Sequence, residues 1–191
     1  MNTEYFPVLH MPEGAPVLDL TEVDIATALG TAVWAVGRYN ERRETVYAGF
    51  YHGNRNIHMG VDLFGPVGTE VRSFADGEIV MAGMNGKPGD YGPTLICKYT
   101  LHDGAVLYAL YGHLSTASLE GKQPGQAIKA GEAIAWIGNQ DENGGWPPHV
   151  HFQLSREAPD VCDMHGVVAE DRLAESLERY PDPRMVLGQI F

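Results

Sequence analysis

The sequence predicts an all-β protein: a β-sandwich of mainly antiparallel strands, with an N-terminal extension and a C-terminal helix. Short β-prone runs recur between turn residues over residues 32–154, and glycine (23 residues) and proline (12 residues) are both frequent. The pairs Asp76-Gly77 and Asp103-Gly104 stand between such runs, which is typical of hairpins. Strands that recur at this spacing indicate a sandwich or a barrel.

The first 44 residues are predicted to be an extension of the β domain. Three prolines interrupt its first part, and residues 18–29 are expected to hold one short helix. Thr21 and Asp24 stand at the spacing of a weak capping box, which favours a helix start near this point.

Residues 45–155 are predicted to form the β domain itself. Its strands are expected in runs that are rich in β-branched and aromatic residues and are separated by glycine, proline and aspartate. These runs cover residues 45–50, 69–75, 78–82, 94–99, 105–111 and 132–137.

Residues 156–191 are predicted to form a helical tail packed on that domain. Ala169, Leu173 and Leu177 recur at helical spacing, and charged residues fill positions between them. The pattern predicts an amphipathic surface helix over residues 168–180 that ends before Pro181.

The bulk properties exclude some classes of partner. A formal net charge of −12 argues against nucleic-acid or anionic-membrane partners, because both attract basic surfaces. No stretch approaches the roughly 18 apolar residues of a membrane-spanning helix. The N-terminal residues lack a basic segment followed by an apolar one, so we expect a cytoplasmic location for the chain as it stands. Cys97 and Cys162 are expected to be reduced thiols. The oligomeric state stays open.

Two short segments hold side chains that bind metals. His149-Val150-His151 places two imidazoles two residues apart, and residues 58–62 place His58 and Asp62 four residues apart. Side chains at i and i+2 or i+4 of a strand project from the same face. Each segment is therefore expected to lie on one strand, and together they offer the nitrogen and oxygen ligands of a zinc site. Taken singly, either segment also fits a hydrogen-bonded pair or chance.

Three motifs in a fixed order resemble the M23 family of zinc metallopeptidases, the lysostaphin/LytM type of peptidoglycan endopeptidase. They are the H-x-G-x-D of residues 58–62, Tyr111-Gly112-His113-Leu114, and His149-Val150-His151-Phe152. The resemblance covers residues 45–155 and implies a β fold like the duplicated hybrid motif, with one zinc ion per chain.

The resemblance implies that His58, Asp62 and His151 hold the zinc, and that His113 and His149 are catalytic histidines beside it. Two imidazoles and one carboxylate leave a fourth position for water, which is typical of a catalytic zinc rather than a structural one. Either catalytic histidine could take the proton of that water or bind the tetrahedral intermediate.

The resemblance also implies a tyrosine just before the first ligand that donates to the developing oxyanion. Tyr51 is assigned this role, and Tyr111 is the alternative. The loop of residues 143–148 departs from the family pattern, and its Trp146 is expected to form a wall of the cleft. The exposed segment of residues 84–91 is expected to rim the same site.

The function that these expectations imply is zinc-dependent hydrolysis of peptide bonds, by resemblance in peptidoglycan stem or cross-bridge peptides. One alternative is a cytoplasmic zinc hydrolase that acts on a soluble peptide or amide. A second is a non-catalytic zinc-binding module that regulates another hydrolase. A third, a phosphocarrier on a related β scaffold, would use a histidine pair but has no need of Asp62.

Overall fold

The fold was taken from a computed structural model, which describes residues 5–49 and 55–191. It confirms the all-β prediction, since strands dominate the described residues and form antiparallel sheets. In chain order the strands are β1 (Ala35–Gly37), β2 (Glu41–Arg42), β3 (Arg55–His58), β4 (Val61–Phe64), β5 (Glu70–Arg72), β6 (Gly77–Asn85), β7 (Gly92–Thr100), β8 (Val106–Gly112), β9 (Ala127–Ile128), β10 (Ala133–Trp136), β11 (His149–Ser155) and β12 (Val167–Ala169). The helices are α1 (Ile25–Leu29), α2 (Leu173–Arg179) and α3 (Arg184–Leu187).

The described residues form three sheets. The largest has the strand order β1-β4-β11-β8-β7-β6-β9, and two small sheets have the orders β10-β5 and β12-β3-β2. Alternate residues of the central strands fill the main core, where Val150, Phe152 and Leu154 of β11 are fully buried. The residues between them point to the opposite face of the sheet, because strand side chains alternate. That opposite face carries the histidines of β11.

Most predicted strands are present, but the run at 45–50 is wrong for its described residues. Residues 45–49 form turns, because Val46 and Tyr47 pack in a satellite cluster with Phe64 rather than pairing with a strand. The Asp103-Gly104 hairpin joins β7 to β8 as predicted. Asp76-Gly77 does not close a hairpin, because β5 pairs with β10 and not with β6.

The C-terminal helix is present but starts later than predicted. Residues 167–169 form β12, which pairs with β3, and α2 follows a 3-10 turn at Glu170–Arg172. The β-branched Val167 and Val168 favour the strand, and they bury their side chains there.

The N-terminal helix α1 is shorter than residues 18–29. Its N-cap is Asp24, whose carboxylate accepts a hydrogen bond from the backbone N–H of Thr27 at 2.9 Å. The segment predicted as an extension also supplies β1 to the large sheet and β2 to a small one. Both cysteines are free thiols, with Cys97 in the core. Among the described residues, no helix has both the length and the apolar character needed to cross a membrane.

A buried His–Asp–His cluster with two flanking histidines

The strand pairing of β4 and β11 creates the centre of the site. In that pairing Asp62 lies directly opposite His151, so both side chains project from the same face. His58 comes from another sheet, at the end of β3. The expectation that His58 and Asp62 share one strand is therefore wrong, because the chain leaves the ladder at Met59 and Gly60 and changes sheet.

The structure nevertheless brings these three side chains together. Nε2 of His58 lies 3.0 Å from Nδ1 of His151 and 3.2 Å from Oδ1 of Asp62. The distance from Nδ1 of His151 to Oδ1 of Asp62 is 3.1 Å. Ligands of one tetrahedral zinc ion would lie roughly 3.3 Å apart, given bonds of about 2.0 to 2.1 Å. The triangle is slightly tighter than this, so its size and its donor atoms fit one small metal ion.

Hydrogen bonds on the outer side of each imidazole fix which nitrogen faces the cluster. Nδ1 of His58 lies 2.8 Å from the backbone oxygen of Arg38, and Nε2 of His151 lies 3.0 Å from Oε1 of Gln153. An acceptor at these positions keeps the proton on the outer nitrogen and directs the lone pair inward. Both imidazoles are thereby set up as ligands.

Electrostatic interactions set the protonation of His58 and Asp62. Burial, followed by the charge of Arg43, lowers the pKa of His58 to about 4, so its imidazole is neutral near pH 7. Burial alone would raise the pKa of Asp62, but the interactions with His58 and Arg43 hold it well below its usual range. A neutral imidazole and an ionised carboxylate are the forms that bind metals.

His149 and His113 lie beside the cluster. Nε2 of His149 is 3.7 Å from Oδ1 of Asp62, and the rings of His149 and His113 are 4.3 Å apart between centroids. Phe64 stacks on His149 with a centroid distance of 4.8 Å. This contact explains the packing of the ring, since residue 149 is the register partner of residue 64.

The flanking imidazoles also have fixed proton positions. Nδ1 of His149 donates to the backbone oxygen of Pro147 at 2.7 Å, and Nδ1 of His113 donates to that of Asn143 at 2.8 Å. Burial lowers the pKa of both histidines, and for His113 the neighbouring His149 adds to the effect. Each is therefore a neutral imidazole near pH 7, with Nε2 left to accept a proton.

The backbone of His113 is held in an unusual conformation. Its φ of 61° lies in the left-handed region, which costs a non-glycine residue about 1 to 3 kcal/mol. Its N–H donates to the oxygen of Tyr91 at 2.7 Å, and its own oxygen accepts from the N–H of Gly138 at 3.0 Å. These two bonds on either side keep the residue in place, so the strain serves to aim the imidazole.

The site opens into a cleft of about 350 Å³. Trp146 lines it as predicted, and so do residues 87–91 of the segment expected at the rim. Ile25 of α1 supplies a further part of the lining, and residues 163–167 form another. The cleft walls thus come from both ends of the chain as well as from the β domain.

Two tyrosines, Tyr51 and Tyr111, were candidates for the donor to the oxyanion. Tyr51 lies outside the described residues, so its role stays a prediction. The alternative, Tyr111, is wrong, because its side chain is fully buried in the core and its hydroxyl is 2.7 Å from that of Tyr99. Within the described residues, Tyr47 and Tyr91 are the tyrosines that line the cleft.

Several residues of the site were not predicted from the sequence. Gln153 and Asn143 act through hydrogen bonds to the histidines, and Arg43 binds Asp62. Gly60 has a steric role, since a Cβ there would lie 2.5 Å from the His151 ring. Two of these residues carried a signal in the sequence: Gly60 is the glycine of H-x-G-x-D, and Gln153 stands at the same-face spacing from His151.

The fold and the cluster together define an antiparallel β domain with a site for one metal ion and two imidazoles beside it. The profile of peptidase family M23 matches residues 56–162, more than half of the chain. The protein therefore belongs to peptidase family M23, which confirms the resemblance seen in its motifs.

The chain is 38% identical over 100 residues to the glycyl-glycine endopeptidase ALE-1 of Staphylococcus capitis, covering 52% of this chain and 25% of ALE-1. It is 32% identical over 144 residues to the cell division protein DipM of Caulobacter vibrioides, covering 75% of this chain and 21% of DipM. The solved catalytic domain of lysostaphin, an antimicrobial peptidase from Staphylococcus simulans, aligns with 26% identity and a TM-score of 0.47, covering 74% of this chain and 92% of that domain. The chain thus spans a quarter or less of the length of these curated relatives.

Proposed function

We propose that this protein is a zinc-dependent metalloendopeptidase that hydrolyses peptide bonds in peptidoglycan stem or cross-bridge peptides. The observation that carries the proposal is the paired orientation of the imidazoles. His58 and His151 turn unprotonated nitrogens toward Asp62, while His113 and His149 present Nε2 beside the same point. Such a set supplies three ligands and two bases in one cleft.

His58, Asp62 and His151 would hold the zinc ion, with Nε2, Oδ1 and Nδ1 as the ligand atoms. When bound, zinc polarises a carbonyl oxygen and lowers the pKa of water to about 7. The cluster leaves room for a fourth group, because three protein atoms occupy one face of a tetrahedron.

The flanking histidines, His149 and His113, would act in proton transfer. His149 is neutral near pH 7 and its Nε2 faces the cluster, so it can take the proton of the attacking water. His113 lies against that ring, and once its Nε2 has accepted a proton it can pass that proton to the leaving amine or donate to the oxyanion. The low dielectric of this buried site strengthens each of these interactions.

The substrate class rests on the family and on the cleft. Relatives of the chain include a glycyl-glycine endopeptidase, a DD-carboxypeptidase/endopeptidase and an L-Ala–D-Glu endopeptidase. A cleft of about 350 Å³, with the bulky Trp146 in its lining, suits short peptides with small side chains. We infer that glycine and D-alanine residues occupy the positions next to the cleaved bond.

The experiment compares two substrates with the zinc-loaded protein. Purified muropeptides and a pool of ordinary L-peptides are incubated separately, and products are identified by mass. We expect cleavage of the muropeptides and about one zinc ion per chain by metal analysis. Cleavage of the L-peptide pool alone would overturn the substrate assignment. Zinc binding without cleavage of either substrate would support the non-catalytic module instead.

A further inference from the structure

We propose that Arg43 is a positioning residue of the metal site, which takes the outer oxygen of Asp62 and leaves a single oxygen for the metal ion. The inference rests on the zinc site proposed above. Arg43 precedes the residues 56–162 that match the family profile. It therefore belongs to the part of the chain for which family membership implies no role.

The hydrogen bond between Arg43 and Asp62 is short and shielded from solvent. Nη1 of Arg43 donates to Oδ2 of Asp62 at 2.7 Å, while Oδ1 of the same carboxylate faces His58 and His151. The Arg43 side chain is 1% exposed and that of Asp62 is 3% exposed. Water therefore competes little for this bond, and a charge-assisted bond in such surroundings is strong.

A second set of contacts holds the guanidinium. Nε of Arg43 donates to Oε2 of Glu41 at 3.0 Å, and Nη1 also donates to the hydroxyl of Tyr47 at 3.0 Å. The backbone N–H of Arg43 donates to the backbone oxygen of Asn56 in β3 at 2.8 Å. The planar fork of an arginine can bind Glu41 and Asp62 at once, which a lysine could not do with the same geometry.

The strand β1 leaves space for this arrangement. Gly37 is the register partner of Asp62, and a Cβ at that position would lie 2.9 Å from Nη2 of Arg43 and 3.1 Å from Oδ2 of Asp62. Any other residue at position 37 would push against both members of the pair. The glycine thus allows the guanidinium to reach the carboxylate across the edge of the sheet.

The charge balance explains why an arginine can lie so close to a cation site. On its own, a guanidinium near Asp62 would repel a bound metal ion. Glu41 is 6% exposed and its Oε2 accepts from the guanidinium, so its carboxylate offsets positive charge beside Asp62. Its Oε1 also accepts from Arg38, whose side chain is 36% exposed, so water screens part of that second charge.

The bond to Arg43 limits how many oxygens of Asp62 are available to a metal ion. A carboxylate with two free oxygens can bind a metal through both of them, and it can rotate when the site is empty. Since Oδ2 is held by Arg43, Asp62 would bind the metal ion through Oδ1 alone, which would leave a position for water or substrate. Partners of this kind typically change metal affinity by 10- to 100-fold.

The test uses full-length apoprotein and metal binding rather than turnover alone. The double variant Glu41→Gln/Arg43→Met removes both the negative and the positive charge of the Arg43–Glu41 pair, so neither charge stays buried without its partner. Zinc affinity is measured by competition with a chromophoric chelator, and the visible spectrum of the cobalt-substituted protein reports coordination. We expect zinc binding 10- to 100-fold weaker than in the native protein and a weaker cobalt band, typical of a higher coordination number.

The single variant Arg42→Met is the matched control, because it removes the neighbouring arginine, which is partly exposed and binds Asn56 and Glu170 rather than the cluster. Its zinc affinity should stay within about threefold of native, because surface substitutions away from a site have small effects. Arg43→Lys keeps charge and bulk, and it provides the measurement if the double variant does not fold. We expect it to bind zinc several-fold more weakly than native, with an altered cobalt spectrum.

Native zinc affinity and an unchanged cobalt spectrum in the folded variants would overturn the proposal and leave Arg43 a structural ion pair. That result is distinct from failure of the proposed function. If the native protein itself binds no zinc, the metallopeptidase assignment fails first. If the native protein binds zinc and cleaves muropeptides while the variants match it, only the role of Arg43 is overturned.

Discussion

At the scale of single residues, the site is defined by where each imidazole keeps its proton. All four histidines have an acceptor on one side: backbone oxygens for His58, His113 and His149, and a glutamine amide oxygen for His151. An imidazole with one nitrogen engaged in this way offers the other as a base or a ligand. The division into ligands and bases then depends only on which free nitrogen reaches the point beside Asp62.

This division predicts the behaviour of His149→Ala. The variant should keep about one zinc ion per chain, because the three ligand atoms remain in place. Its kcat/KM on muropeptides should fall by roughly 10²- to 10⁴-fold, the range typical of a general base. Metal analysis and steady-state kinetics on the same preparation check both parts.

His151→Ala is the control for that prediction, since it removes a ligand and should lose zinc together with activity. Loss of zinc from His149→Ala would mean that residue 149 is itself a ligand. In that case the assignment of the two histidines of β11 would be reversed.

At the scale of elements, one loop supplies hydrogen-bond acceptors to both flanking histidines, His113 and His149. Residues 139–148 supply the backbone oxygen of Asn143 to His113 and that of Pro147 to His149. The side chain of Asn143 is fully buried and organises this loop. Its Oδ1 accepts from the N–H of Gly145 and of Trp146, and its Nδ2 donates to the oxygen of Trp146 at 2.9 Å.

We therefore expect Asn143→Ala to impair catalysis without loss of metal. The change leaves two loop N–H groups unsatisfied, which should lower the free energy of unfolding by about 2 kcal/mol. The carbonyls that orient His113 and His149 should shift, and kcat should fall by about tenfold or more, since proton transfer needs aligned groups. Denaturant unfolding, zinc content and kinetics measure the three effects.

The matched control is Asn139→Ala in the same loop. Asn139 also makes side-chain hydrogen bonds to its neighbours, but it is exposed to solvent. Water can replace those bonds, so stability and kcat should stay near native values. Equal effects of the two substitutions would show that the buried bonds of Asn143 do not orient the histidines.

At the scale of the whole molecule, folding buries several titratable groups in one place. His58, His113 and His149 are at most 5% exposed, and burial is the largest cause of their lowered pKa values. In the unfolded chain each histidine titrates near pH 6.5. At a pH between the pKa of a histidine in the folded state and its higher pKa in the unfolded chain, the unfolded state binds more protons. The free energy of unfolding must therefore fall as the pH falls through this range.

The metal-free protein should therefore lose stability between pH 7 and pH 5. Each of the three histidines contributes up to about 1.4 kcal/mol per pH unit below pH 6.5. Denaturant unfolding in the presence of a chelator measures this slope. His113→Gln should reduce the slope, whereas His10→Gln, at an exposed position, should not. A slope that is unchanged in His113→Gln would contradict the burial argument for that residue.

Much of this architecture was predictable because it is local in sequence. The alternating runs and the Asp103-Gly104 turn predicted β7 and β8, and the spacing of His149 and His151 placed both on one face of β11. Predictions failed where the chain changed sheet or partner. Residues 58–62 fit a single strand by spacing, and only the crossing from β3 to β4 shows otherwise.

The fold class, the family and the five side chains of the site could be predicted from the sequence, because short motifs and the period of the strands specify them. The orientation of those side chains depends on the folded chain. The contacts of Arg43 with Asp62, of Asn143 with His113 and of His58 with His151 join positions 19, 30 and 93 residues apart. Pairings of that kind depend on sheet order and register, which no local pattern encodes, so proton positions and metal geometry emerge only when the chain is folded.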